Sequence, residues 1–286
     1  VTGAALAARL ADGRLHLQHG PIDLIIDAKG DKRQVEMAFV GMACRFETIL
    51  DELVAELADL RRDVCEGYDA KGVIARRMVN ATRKFAGIFV TPMAAVAGAV
   101  ADEVVEVGWG HASLKTLYVN NGGDIALRLT DGEELAIGVV KSVNDPVLIG
   151  RLHMSSKSAA RGIATSGFGG RSKTFGIADA VTVITTCAAE ADVAATLIAN
   201  EVNLGEHPQV HRVPAISLDE SSDLVERLVT HAVGILSAED VDIALTRGMR
   251  RATDLSDRAS LEGVFLSLRG STRSVGRFQY RSDGFR

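Results

Sequence analysis

The sequence predicts an α+β fold of antiparallel strand pairs and helices, expected as one compact domain over residues 1–286. Three observations carry this. Short β-branched, apolar runs come in pairs separated by turn residues. Longer segments place apolar residues three and four apart, and these also pair up. The order of strands then helices occurs twice, which points to an internal duplication. No low-complexity linker interrupts Gly20 to Gly270. A chain of 286 residues is long enough to bury a sizeable core.

Taken in order, the elements follow from local chemistry. Arg14–His19 and Ile22–Ala28 read as strands joined by a turn at Gly20-Pro21. A helix runs from about Glu36 to Cys65. Its stripe is Phe46, Ile49, Leu50, Leu53, Leu57 and Leu60. A second helix covers Val73–Lys84, with Arg76, Arg77, Arg83 and Lys84 on a solvated face. Gly87–Val90 reads as a strand. Pro92 opens a helix, where its missing N–H costs nothing, and Ala94–Val105 continue it. Thr116–Asn120, Asp124–Leu129 and Glu134–Val140 are short strands, with Asp131-Gly132 as a hairpin turn. Ala180–Thr185 is a strand and Ala188–Val202 a helix. Further segments lie at Ser222–Leu236, Asp240–Gly248 and a strand at Val264–Leu268. The end, 270–286, is polar and basic and is expected to be a loosely held tail.

Composition narrows the function. Lys and Arg number 32 against 37 Asp and Glu, a net charge of −5, which argues against a nucleic-acid binder built on phosphate contacts. The 28 glycines against 5 prolines show no collagen period. Cys44, Cys65 and Cys187 form neither a disulfide framework nor a zinc motif, so a reduced, cytoplasmic protein is expected. The apolar start, Val1–Leu10, lacks a basic region and is not read as a signal peptide. Phe85–Ala101 carries no charge, yet it is short for a span and holds Pro92. It is expected to be buried rather than in a membrane.

Four constellations could carry chemistry. In Asn120-Asn121-Gly122-Gly123-Asp124, Asn and Gly tolerate positive φ, so the main chain can turn and present N–H groups; a plain β-turn is the simpler reading. In Arg161–Gly176, glycines, hydroxyls and bases suit an anion, with a surface loop as the alternative. Two decoys occur there. Gly167–Thr174 misses a Walker A loop because Ser172 precedes the lysine. The dinucleotide fingerprint starting at Gly167 also fails at Ser172. In Glu190-Ala191-Asp192 with Thr196, residues 192 and 196 share a helix face and form a partial magnesium shell; an acid favoured by the helix dipole explains Asp192 equally. Asp179 is a candidate supporting acid. Finally, Ala94–Asp102 is a small-residue stretch that lets another helix or a planar ligand pack closely. His16, His19, His111, His153, His207, His211 and His231 are scattered and form no catalytic set.

In this order, the segments resemble the ApbE-like superfamily, relatives of FAD:protein FMN transferases. Thr91–Asp102 is similar to its small-residue helix and Asn121–Asp124 to its glycine-glycine-aspartate turn. Gly162–Gly167, Val181–Ile184 and Glu190–Asp192 with Thr196 are similar to its flavin-pocket loop and metal helix. His19–Leu24, Ala75–Met78, Val90–Gly98, Asn120–Leu127 and Gly176–Val183 resemble a shorter branch of it. The resemblance implies duplicated T-fold-like units with antiparallel sheets backed by helices. It implies FAD or FMN as ligand at Asn121, Gly122, Gly123, Asp124, Thr165, Ser166 and Gly167, and magnesium at Asp192 and Thr196. No catalytic residue is assigned. The superfamily's lysine before the helix glycine is Ala97 here, and its His-Ile-Ile-Asp-Pro segment is replaced by Lys173–Asp179. The expected function is binding of a flavin or other nucleotide-like anionic ligand with magnesium. An inert binding or assembly module and an FMN transferase are the alternatives. An anionic metabolite held by Arg161, Arg171 and Lys173 is a further one. The expected partner is that small ligand, with neither nucleic acid nor membrane, and a homo-oligomer remains open.

Overall fold

The computed structural model describes residues 3–140 and 148–276. Strands β1 (Leu6–Arg9), β2 (Leu15–His19) and β3 (Ile22–Gly30) lead into helices α1 (Lys32–Ala55), α2 (Leu57–Leu60) and α3 (Val73–Arg83). A 3₁₀ turn at Pro92–Ala95 opens α4 (Val96–His111), followed by β4 (Leu114–Asn121), β5 (Asp124–Leu129), β6 (Glu134–Val140), β7 (Leu148–Ser155) and β8 (Gly162–Ser166). Then come β9 (Ala180–Thr185), α5 (Ala188–Glu201), β10 (Val210–Pro214), β11 (Leu228–Val233), α6 (Ala238–Ser256), β12 (Gly263–Leu268) and β13 (Ser271–Gly276). This is the expected α+β class, with antiparallel sheets backed by helices. Two compact units are discontinuous in sequence. The first comprises 1–135, 154–164 and 184–193; the second comprises 136–153, 165–183 and 194–286.

In the first unit the strand order is β1-β2-β3-β4-β5-β8, every pairing antiparallel. Leu15 and Leu17 of β2 and Ile22, Leu24 and Ile26 of β3 alternate into the core, the period-two pattern of a strand with one covered face. Helix α4 packs on β4 and β5, and α1 packs on α4. Ala38, Phe39, Met42, Phe46, Ile49, Leu50 and Leu53 form the buried stripe of α1.

Helix α1 differs from the single helix expected over 36–65. It starts earlier, where Asp31 accepts a bond from Arg33 N at 2.9 Å, and it ends before Glu56. The reason is distant in sequence. The Glu56 carboxylate accepts from Lys71 N at 2.8 Å and Gly72 N at 2.6 Å, and from the Tyr68 hydroxyl. It thereby supplies an acceptor at the start of α3, whose cap residue Gly72 has no side chain of its own. Against the cost of burial, these donors hold the Glu56 carboxyl below its ordinary range. On α3, Arg77 is half-buried rather than solvated, 3.2 Å from Glu103. Gly87–Val90 forms turn and irregular chain, not the expected strand. The uncharged run ends inside α4. Among the described residues no helix is long and apolar enough to cross a membrane.

In the second unit β9 neighbours β12, which pairs antiparallel with β13. All six residues of β12 are buried, which explains its unbroken run of apolar and small residues. Helix α6 packs on β12 and β13 through Val241, Ala244, Leu245, Gly248, Ala252 and Leu255. It starts at a capping box between Ser237 and Asp240. β10 and β11 form a separate antiparallel pair. Within the tail expected at 270–286, residues 271–276 are strand β13; 277–286 lie outside the described residues.

Candidate functional site

The Asn121–Asp124 segment is the hairpin joining β4 to β5. Asn121 and Asp124 are direct partners across the strands. Gly122 and Gly123 occupy positive φ, 64° and 115°, which side-chain-bearing residues adopt only at a cost. The Asn120 carboxamide oxygen accepts from Gly123 N at 2.8 Å. The turn reading is therefore correct as far as it goes. It also leaves open space, because a Cβ on Gly123 would meet nothing within 4 Å.

The Asn121 side chain is buried and donates to Ala97 O at 3.1 Å. This ties the hairpin to the start of α4. One residue on, Gly98 N donates to the Asp192 Oδ2 at 3.1 Å. Gly98 has no room for a side chain, since its Cβ would lie 2.3 Å from Ala188 O. The small-residue stretch thus serves close approach of α4 to the start of α5. Asp102, one turn beyond Gly98, completes the junction: it accepts from Ala188 N and Ala189 N at 2.9 Å each, capping α5 from a different helix.

The electrostatics of this junction are set by two acids. Burial raises the Asp192 carboxyl well above its ordinary range, the charge of Asp124 raises it further, and the Gly98 and Ala97 amides act in the opposite sense. Asp102 is also raised by burial, in spite of its two amide donors. Burial, with the charges of Asp102 and Glu190, pushes the Cys187 thiol up to about 12, so it is a poor nucleophile at neutral pH. The Glu190 side chain pairs with Lys84.

The sequence-predicted residues are thus brought together in part. Asn121–Asp124 and Asp192 act on one another through α4 within the first unit. Thr196 follows Asp192 by one turn on α5. Thr165, Ser166 and Gly167 belong to the second unit. Thr165 and Ser166 end strand β8 rather than opening a loop, and the Thr165 hydroxyl lies 2.9 Å from that of Thr182. Gly167 is packed against its own chain, a Cβ there falling 2.6 Å from Asp179 O. Asp179 accepts from Arg269 N at 2.6 Å, at the β12–β13 turn. Arg161 donates to Ser158 O and Ala160 O at 2.6 Å each and to Ser156 O at 3.1 Å, so it braces the preceding turn and is not spare for an anion. What sequence reading missed is the Ala97–Gly98 main chain as the support of Asp192, and Asp102 as the cap of α5. The glycine inside an alanine-rich helix was the available signal.

Among the described residues no three His, Cys, Asp or Glu side chains are grouped to hold a metal ion. Magnesium does not require such a cage. It is commonly held by one or two carboxylates, with water and substrate phosphate completing the octahedron. The hard oxygens of Asp192 and Asp124 have that character.

A family model described as AbpE bacteria matches residues 7–274. The chain belongs to this family. The expected ApbE-like membership is thereby shown. Relatives of this AbpE-family chain include a UPF0280 protein of Methanopyrus kandleri, 36% identical over 158 residues, or 54% of this chain and 61% of the relative. A UPF0280 protein of Methanocella arvoryzae is 36% identical over 171 residues, 59% and 62% of the two chains. The matched region spans about three fifths of the length of these curated relatives. Among solved structures, the Pseudomonas stutzeri flavinyl transferase ApbE in its apo form aligns at 12% identity over 96% of this chain and 95% of that one, with a TM-score of 0.38. The flavin transferase ApbE from Vibrio cholerae aligns at 10% identity over 96% and 97%, with a TM-score of 0.37.

Proposed function

We propose that this AbpE-family protein binds a nucleotide-like anionic ligand, a flavin nucleotide foremost, with magnesium held by Asp192. One observation carries the reading: Gly98 N holds the Asp192 carboxylate at 3.1 Å, Asn121 ties the Asp124-bearing hairpin to the adjacent Ala97 O, and the negative charge of Asp124 repels that of Asp192 and raises its carboxyl. A divalent cation relieves that repulsion and favours the ionised form of Asp192. Bound magnesium would supply charge neutralisation at phosphate oxygens. Thr196 adds a hydroxyl one turn along the same helix. Asn121, Gly122 and Gly123 are the proposed ligand contacts, and the family resemblance supports them. Ala97 stands where the resemblance places a lysine, which favours binding without flavin transfer.

The test is titration of the purified protein with FAD, with and without magnesium, followed by flavin fluorescence and calorimetry. Saturable, magnesium-dependent binding is expected, and Asp192→Asn should weaken it about tenfold or more. No saturation by about 1 mM FAD would sink the reading. Magnesium-dependent release of AMP from FAD with the FMN recovered covalently on an acceptor protein, both lost in Asp192→Asn, would instead establish a transferase.

A further inference from the structure

The second unit carries a cluster of guanidiniums that the reading above does not use. Arg247, Arg250 and Arg251 stand three and four positions apart on α6, and so share one face. With Glu201, the last residue of α5, and Asp254, they line a cleft of about 370 Å³. The helix is fixed closely at this point. A Cβ on Gly248 would fall 2.4 Å from a Val202 methyl and 2.6 Å from a Leu266 methyl, so α6 sits as near its neighbours as a glycine permits.

The charges in the cleft do not balance. Glu201 serves two arginines, lying 2.9 Å from Arg251 and 3.7 Å from Arg247. Among the described residues Arg250 has no hydrogen-bond or ion-pair partner. Three guanidiniums thus face two carboxylates, a local positive excess in a chain whose net charge is −5. Each guanidinium presents five N–H donors in a flat fork, so donors also outnumber acceptors. Exposed ion pairs on a solvated helix explain the Arg251–Glu201 contact, and such pairs contribute little to stability. They do not explain a concave site with one guanidinium left over. A tetrahedral anion does: its oxygens match paired N–H groups, and its charge offsets the excess.

We propose that this cleft binds the phosphate group of a small molecule. Arg250 and Arg247 are its principal contacts, and Glu201 holds Arg251 in place beside them. The site draws only on residues 201–254, so it stands or falls independently of Asp192 and magnesium.

The experiment is calorimetric titration of the full chain at low ionic strength without magnesium, in separate arms with inorganic phosphate and with adenosine monophosphate. Saturable binding is expected, and Arg250→Gln should weaken it about tenfold or more. Asp192→Asn should leave it unchanged. Arg33→Gln, which removes an exposed positive charge in the first unit, should also leave it unchanged. Tighter binding of adenosine monophosphate than of phosphate would assign a phosphomonoester, and equal binding would assign free phosphate. The proposal is overturned if neither probe saturates. It is equally overturned if Arg33→Gln weakens binding as much as Arg250→Gln does, because that result reports only general charge attraction. Arg250 is exposed, and matching far-UV circular dichroism of its variant with the wild type confirms that the fold is intact.

Discussion

The two glycine-rich segments of this protein use the same residue for opposite reasons. In the β4–β5 hairpin, Gly122 and Gly123 adopt positive φ, and the space over Gly123 is open. In the 162–176 segment, Gly162, Gly167 and Gly176 are boxed in by main chain. A Cβ would fall 2.0 Å from Cys187 C at the first, 2.6 Å from Asp179 O at the second and 1.8 Å from Ala199 O at the third. One segment needs glycine for backbone shape, and the other for backbone proximity. Composition does not separate these cases, yet they predict different consequences of the same substitution. Gly123, unlike Gly162, Gly167 and Gly176, leaves an approach for a ligand to the main chain.

The largest effect is expected at Gly176. Gly176→Ala drives a methyl into the α5 backbone, which cannot rotate away, and should cost about 3 kcal/mol or more in denaturant unfolding. Wild-type stability for that variant would break the comparison at its stronger end. Gly123→Ala should cost less, about 1–2 kcal/mol, because only the conformational penalty applies and no atom is displaced. A loss as large as that at Gly176 would show that the hairpin, too, is sterically crowded. Thr165→Val should have the smallest effect, about 1 kcal/mol, from the bond lost to the buried Thr182 hydroxyl. Its FAD affinity sharpens the comparison further: a fall beyond the stability change is expected if this hydroxyl also contacts ligand, and no fall would confine it to a structural role.

Much of the fold was legible in advance where the signal is local. The strands expected from Arg14, Ile22, Thr116, Asp124, Glu134 and Ala180 match β2, β3, β4, β5, β6 and β9 within one or two residues, because alternation and turn residues are properties of adjacent positions. The helices from Val73 and Ala188 are equally close. The helix expected to reach Cys65 was too long because its end is set by Glu56 turning to Lys71 and Gly72, a bond that leaves no periodic trace. Strands β1, β7, β8, β10 and β13 were missed. All four residues of β1 and all six of β13 are exposed, so they carry no buried alternation to detect. The candidate site was half legible. Asn121–Asp124 and Asp192 could be picked out as residues, but nothing in the sequence said that Ala97 and Gly98 join them.

By itself, the sequence determined the α+β class, the pairing of β2 with β3 and of β4 with β5, and the positions of the β4–β5 hairpin and of the helix bearing Asp192. Each follows from side-chain periodicity or from the φ tolerance of Asn and Gly, which act over a few residues. The hairpin expected at Asp131-Gly132 is not formed, because β5 pairs with β8 and β6 with β7. The tertiary structure alone decided that Asp102 caps α5 from 86 positions away and that Asp192 rests on the amide of Gly98, 94 positions away. It also decided which glycines give room and which fill it. Those outcomes depend on distances between segments remote in the chain. Buried amides and carboxylates must find partners somewhere, but only packing determines which ones.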